Sequence, residues 1–174
     1  MKKASANKTY DIIEYIFYED DNISLEKISS LNLDNAELLA SGIKTFSHML
    51  KNNKTLTTLS LSSNEMRCKG LSYLSSALYN NQTITYLNLK DNSIAEEGLT
   101  FLSYALEKNQ SITSLNLSWN HFGDVGAISL ISSLKNNSTM TKLDLRGNYI
   151  TDEGKSSLVD ILYDANNSVL DFIL

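Results

Sequence analysis

The chain has no proline, one cysteine and two histidines in 174 residues. With Cys68 alone no internal disulfide can form, and with only His48 and His121 beside it there is no zinc-like ligand cluster. A reducing compartment is the expected setting, and neither metal nor cofactor is expected. Basic residues are also few: Lys and Arg number 15 against 20 Asp and Glu, a net charge of -5. Nucleic-acid and anionic-membrane surfaces use clustered Lys and Arg to neutralise phosphates, so neither partner is expected. No apolar run approaches the roughly 20 residues that span a bilayer. The opening MKKASANKTYDIIEYIF has no continuous apolar stretch followed by small residues, so neither an anchor nor a Sec signal is expected. Triplets such as Asn53-Lys54-Thr55, Asn81-Gln82-Thr83 and Asn109-Gln110-Ser111 therefore belong to the internal architecture rather than to glycosylation.

What is present is an apolar fraction of 42%, enough for the core of one domain of this length, and it is ordered. The pattern L-x-x-L-x-L-x-x-N recurs every 28 residues as LTTLSLSSN from Leu56, ITYLNLKDN from Ile84, ITSLNLSWN from Ile112 and MTKLDLRGN from Met140. ISSLNLDNA from Ile28 keeps the spacing but puts Ala36 at the Asn position. The alternation in Tyr86, Leu87, Asn88, Leu89 and Lys90 is that of a half-buried strand, leucines inward. Gly42, Gly70, Gly98, Gly126 and Gly154 keep the same period, and stripes such as Leu99, Leu102 and Leu106 follow at helical spacing. Each repeat is thus one strand and one helix.

A helix is about 10 Å across, while neighbouring strands lie about 4.8 Å apart. Stacked units must bend, with the strands inside. The expected fold is an α/β right-handed solenoid, a horseshoe segment with a parallel concave sheet and convex helices over residues 28–174. Residues 1–27 carry Tyr10, Ile12, Ile13, Tyr15, Ile16, Phe17 and Tyr18 without the motif, which fits an N-terminal cap or a partner-binding arm. The last strand, VLDFIL from Val169, starts 29 residues after Met140 and has no helix of its own. Its edge of Val169, Phe172 and Leu174, with Ile173 outward, predicts some self-association.

Asn64, Asn92, Asn120 and Asn148 stand where each strand ends and the chain turns, so a buried ladder that satisfies backbone groups is expected there. A second set, Asn52-Asn53, Asn80-Asn81, Asn109, Asn136-Asn137 and Asn166-Asn167, follows the helices and reads as left-handed C-caps.

The 28-residue period, the L-x-x-L-x-L-x-x-N strand and the glycine followed by helical leucines together resemble the ribonuclease-inhibitor-like class of leucine-rich repeats. The resemblance covers residues 28–174. The class includes ribonuclease inhibitor, NOD-like receptors, the Ran GTPase-activating protein and the actin-capping tropomodulins. It implies recognition of a protein partner rather than one shared activity. Actin binding and GTPase regulation in a eukaryotic cell are the alternatives it brings. The lack of proline and the wealth of Asn, Lys, Ile and Ser are similar to usage in AT-rich genomes, including bacteria that inject repeat proteins into host cells. A cytoplasmic protein, or an effector delivered to a host cell without a Sec signal, is the expectation.

The first concave positions are bland (Ser30, Asn32, Asp34, Thr58, Ser60 and Ser62), and the character changes at the third strand. Trp, Tyr and Arg dominate interface hot spots, so the expected partner-binding patch is Tyr86, Trp119 and Arg146, with Lys90, Asp91, Lys142 and Asp144 setting charge complementarity. The opposing reading lays Trp119 over the adjacent loop and lets the charges pair with one another. The flat sheet offers roughly 24 by 15 Å, well below the roughly 800 Å² per partner of a standard interface. Exit-loop residues such as Glu65, Ser93, His121 and Tyr149 are therefore expected to join in. No enzyme is expected: Cys68 and His121 lie in different repeats with no aligned acid, and a nucleophile needs a base within hydrogen-bond reach.

Overall fold

The computed structural model describes residues 25–135, 137–164 and 171–174. A single 3-10 turn (Leu25–Lys27) precedes β1 (Ser30–Asn32). Then strand and helix alternate as α1 (Leu39–Leu50), β2 (Thr58–Ser60), α2 (Arg67–Leu78), β3 (Tyr86–Asn88), α3 (Glu96–Lys108), β4 (Ser114–Asn116), α4 (Asp124–Ser133), β5 (Lys142–Asp144), α5 (Asp152–Asp164) and β6 (Asp171–Ile173). The strands form one six-stranded parallel sheet in chain order, and each helix packs on the next. The sheet lines the concave side and the helices the convex side, the α/β solenoid that the 28-residue period predicts.

Leu31, Leu59, Leu87, Leu115, Leu143 and Phe172 share one register line across the sheet. The 29-residue step to Phe172 keeps that line, because the offset falls in the connection and not in the strand. Behind the sheet, Leu71, Leu74 and Leu78 of α2 and Leu99, Leu102 and Leu106 of α3 are fully buried. Burying one such side chain is worth roughly 1.5–3 kcal/mol, so this periodic stripe contributes substantially to the stability of the fold.

The strand-exit asparagines form the expected ladder. Asn92 Oδ1 accepts the N–H of Asn64 (3.1 Å) and of Met66 (3.4 Å), while Nδ2 donates to the carbonyls of Leu61, Leu89 and Lys90. Asn64 and Asn120 repeat this five-bond pattern. Ala36 has no amide to offer, and its own N–H is served by Asn64. The ladder begins there.

The second asparagine set requires a correction. None of Asn52, Asn53, Asn80, Asn81, Asn109 or Asn137 takes a left-handed backbone; Asn136 and Asn166-Asn167 lie outside the described residues. Asn53, Asn81, Asn109 and Asn137 are instead buried in a second ladder. Asn81 Nδ2 donates to the carbonyls of Leu50 and Asn53, and Oδ1 accepts the N–H of Thr83 and Ile84. The N-x-S/T triplets follow from this: the hydroxyls of Thr83, Ser111 and Thr139 donate back to the asparagine two residues earlier. Helix ends here turn straight down into the next strand, so an amide bridging two repeats serves better than a left-handed cap.

Two helix glycines sit at close approaches between repeats. A Cβ on Gly98 would lie 3.2 Å from Cys68 Cα, and one on Gly126 would collide with the Glu96 carboxylate. That carboxylate is itself engaged, accepting the N–H of Gly123 at 2.8 Å just before α4. Asp124 does the same for the N–H and hydroxyl of Thr151 before α5. An acid at one helix start thus serves the next helix start, where it also meets the positive end of the dipole.

Of the N-terminal segment, the described end packs on the first repeat: Leu25 is buried and its carbonyl accepts from Asn53 Nδ2 and Thr55 Oγ1. Residues 1–24 and Val169 lie outside the described residues. In β6, Ile173 registers with Asp144 on the concave side.

Candidate functional site: the concave face and its exit rim

Register sorts the concave side chains into rows. Tyr86, Ser114 and Lys142 form the leading row and Asn88, Asn116 and Asp144 the next. Lys90, Ser118 and Arg146 follow, and beyond them Asp91 donates its N–H to Ser118 and Trp119 its own to Arg146 (2.8 Å), extending the ladder into the exit turns. Asp91, Trp119 and Gly147 are therefore neighbours at the rim.

This placement divides the expected patch. Trp119, Lys90, Asp91 and Arg146 come together at the exit end. Tyr86 and Lys142 stand at the other end, five residues back along the strand or roughly 15 Å away. Asp144, between them, is buried and spends both carboxylate oxygens on Arg146: Nε donates at 3.0 Å and a terminal nitrogen at 2.7 Å. The pair forms within one strand exit rather than across strands. Burial opposes ionisation of Asp144, but the Arg146 side chain and backbone N–H, with Lys142 nearby, outweigh it and hold the carboxyl below its usual range. A depressed carboxyl adds stability above its ordinary pKa of about 3.9 and loses it as pH falls through the folded value. Asp144→Asn is therefore expected to lower stability slightly at neutral pH and to flatten the acid limb of the urea-midpoint profile. The effect is small because the Arg146 side chain is 58% exposed and well screened.

Trp119 is 61% exposed, and its backbone is left-handed, with φ 57. The same position in the other repeats is held by Asn35, Ser63, Asp91 and Gly147, all left-handed too. Four of the five are small or turn-forming residues; only here does an indole occupy a conformation that costs a side-chain residue about 1–2 kcal/mol. The ring lies over Gly147, where an added Cβ would be 2.8 Å from it. Gly147→Ala is expected to cost about 1–2 kcal/mol, from the left-handed φ of 71 and this collision, and less in a Trp119→Asn background. A urea double-mutant cycle reads the difference.

Beside Trp119 the rim adds Tyr149, 68% exposed, and His121, whose ring stacks on it at 6.0 Å. The equivalents of Tyr149 in earlier repeats are Glu37, Glu65 and Ser93, so the aromatic pair is confined to the last two repeats. Cys68, by contrast, sits at the start of α2 with its thiol 3.8 Å from the Ala95 carbonyl, away from this rim. Phe101 and Tyr104 on the convex side are also exposed, and a reading confined to the concave face passes over them. Comparing exposed positions repeat by repeat is the signal that finds them.

A curved single-sheet solenoid with its distinctive side chains at one rim defines a repeat scaffold of the kind that presents a surface to another molecule. The family described as Leucine Rich repeat matches residues 52–75, 80–103, 108–130 and 136–159, more than half of the chain. The chain belongs to that family. Among solved structures it is similar to one described as the leiomodin-1 actin-binding site 2, with a TM-score of 0.67 and 21% identity over 82% of this chain and 83% of that one. It is also similar to the tropomodulin C-terminal domain of Caenorhabditis elegans, with a TM-score of 0.68 and 15% identity over 94% of this chain and 96% of that one. At these identities the likeness is one of fold. No curated protein matches the chain significantly.

Proposed function

We propose that this chain is a noncatalytic protein-interaction module whose partner docks on the exit rim of the last two repeats, anchored by Trp119 and bordered by Tyr149, His121 and, from the repeat before them, Lys90. One observation carries the reading: a large exposed indole held in a left-handed turn that neighbouring repeats fill with residues suited to it. Left-handed turns recur at the strand exits, at Glu37, Leu39, Glu65 and Arg67 as well, so it is the exposed aromatic on such a turn that supports the reading. The 28-residue repeats, each carrying a helix of ten to thirteen residues in α1 to α5, support placement in the ribonuclease-inhibitor-like class. A second reading, actin as the partner, is favoured by the likeness to the leiomodin-1 actin-binding site.

The test compares the wild-type chain with Trp119→Asn, Tyr149→Ser, residues of the kind that other repeats carry at these positions. Both are used for affinity capture from eukaryotic lysate, the source suggested by the effector-like residue usage, and for co-sedimentation with filamentous actin. A partner, or actin itself, held by the wild type and lost by the folded variant is the expected result. Equal retention by both proteins would move binding off the rim.

A further inference from the structure

The outer face of α3 carries a pattern that the rim does not use. Glu97, Phe101, Tyr104 and Lys108 follow one another at steps of four, three and four residues, so they form one straight, exposed stripe about 16 Å long. Phe101 is 41% and Tyr104 62% exposed. Tyr79 of α2 stacks on Tyr104 at 5.4 Å and steadies that ring from the side. An acid stands at one end of the stripe, a base at the other, and two rings lie between them.

The fold does not demand this arrangement. At the ring positions α4 carries Ser129 and Ser132, and α5 carries Ser157 and Asp160; at the end positions α1 has Ser41 and Asn52, and α2 has Lys69 and Asn80. Only α3 joins an acid, two rings and a base. Glu97 has no ion-pair partner among the described residues. Lys108 pairs with Glu107 at 3.2 Å, but that pair is solvent-exposed and contributes little, and an ammonium has further donors to give.

We propose that α3 packs against α3 of a second copy of this chain, antiparallel about a two-fold axis. Charge complementarity selects that occupant. Turned end for end, the stripe is its own complement: Glu97 meets Lys108 of the second copy, Lys108 meets Glu97 of the second copy, and Phe101 and Tyr104 lie across each other. Such a contact is isologous, each residue pair occurring twice. The neighbouring charges fit as well. Lys69 of α2 borders the same hollow as Glu97 and Phe101. Each end of the contact therefore gathers Lys69 and Glu97 of one copy with Glu107 and Lys108 of the other, cations matched by anions. Spacing is the second argument, because alternating steps of four and three keep a stripe on the seam between two helices crossing at about 20°. Shape is the third: α3 is the middle helix of five on a convex arc, where two such surfaces can touch while their ends splay apart. A contact between single crests is smaller than the roughly 800 Å² per partner of a standard interface, so the dimer is weak and forms at high concentration. Both concave faces and both rims point away from it, which makes the pair bivalent for a partner bound at the rim.

The test follows the full chain by analytical ultracentrifugation in low salt, up to millimolar concentration. A monomer–dimer equilibrium that weakens as salt is added is expected. Glu97→Lys and Lys108→Glu each set like charges together at both ends of the contact, and each should raise the dimer Kd at least about tenfold. Mixed in equal amounts, the two variants regain opposite charges at both ends in a heterodimer and should recover a Kd near that of the wild type. Phe101→Ser, Tyr104→Ser, checked for folding by its urea midpoint, should abolish the dimer. Trp119→Asn should leave it unchanged, so the dimer and the rim stand or fall separately. A chain that stays monomeric, a Kd that neither reversal raises, a mixture no tighter than its components, or a dimer that survives the loss of both rings overturns the proposal.

Discussion

Asn92→Asp is expected to remove about 3 kcal/mol or more of stability, a substantial part of the roughly 5–15 kcal/mol that holds such a domain together. The replacement is nearly isosteric, so packing is preserved and only the hydrogen bonds change. The two N–H groups of Asn64 and Met66 keep an acceptor, but the carbonyls of Leu61, Leu89 and Lys90 each lose one of two donors, keeping Asn64 Nδ2, Asn120 Nδ2 and the Ser63 N–H respectively, and face an oxygen instead. Asn92 is fully buried, so a carboxylate there is uncompensated, which typically costs about 3–5 kcal/mol, and water cannot step in. Burial also disfavours the ionised form of the new carboxyl, whose folded pKa is then raised; the variant should regain part of its stability as pH falls. With urea slopes of about 1–3 kcal/mol per molar, the midpoint should drop by at least about 1 M at neutral pH and by less in acid. An unchanged midpoint would show that the ladder contributes nothing net. Asn148→Asp, in the half-buried last rung, should cost less.

Trp119→Asn should act in the opposite sense on its two readouts. Removing an exposed hot-spot aromatic typically costs about 2 kcal/mol or more of binding, a factor of about 30 in Kd. Stability, in contrast, should hold or rise by up to about 1 kcal/mol, because asparagine tolerates the left-handed turn that Trp119 occupies at φ 57. The change forfeits the indole's cover over Gly147. Falling affinity beside unchanged or rising stability distinguishes a binding residue from a structural one. A variant that lost several kcal/mol of stability and retained its partner would assign Trp119 to the fold.

Much of this architecture is legible because it depends on neighbours at a fixed sequence distance. Leu59, Leu87 and Leu115 meet in one register line because strands 28 residues apart pair residue for residue. Asn64, Asn92 and Asn120 form a ladder for the same reason. The second asparagine set has the same period, yet a sequence position after a helix fits a left-handed cap as well as a bridge to the previous repeat. Only the path of the chain into the next strand shows that Asn81 reaches Leu50 and Asn53.

By itself, then, the sequence determined the solenoid, its strand register, its buried leucines and the exposure of Trp119, since all of these follow from periodic burial. Tertiary structure alone decided which surface side chains meet. It separated Tyr86 from Trp119 along the strand, paired Asp144 with Arg146, laid the indole over Gly147 and stacked Tyr79 on Tyr104 across two helices. These contacts depend on rotamers and on the spacing of adjacent repeats at positions where the repeats differ, and a period carries no information where it is broken.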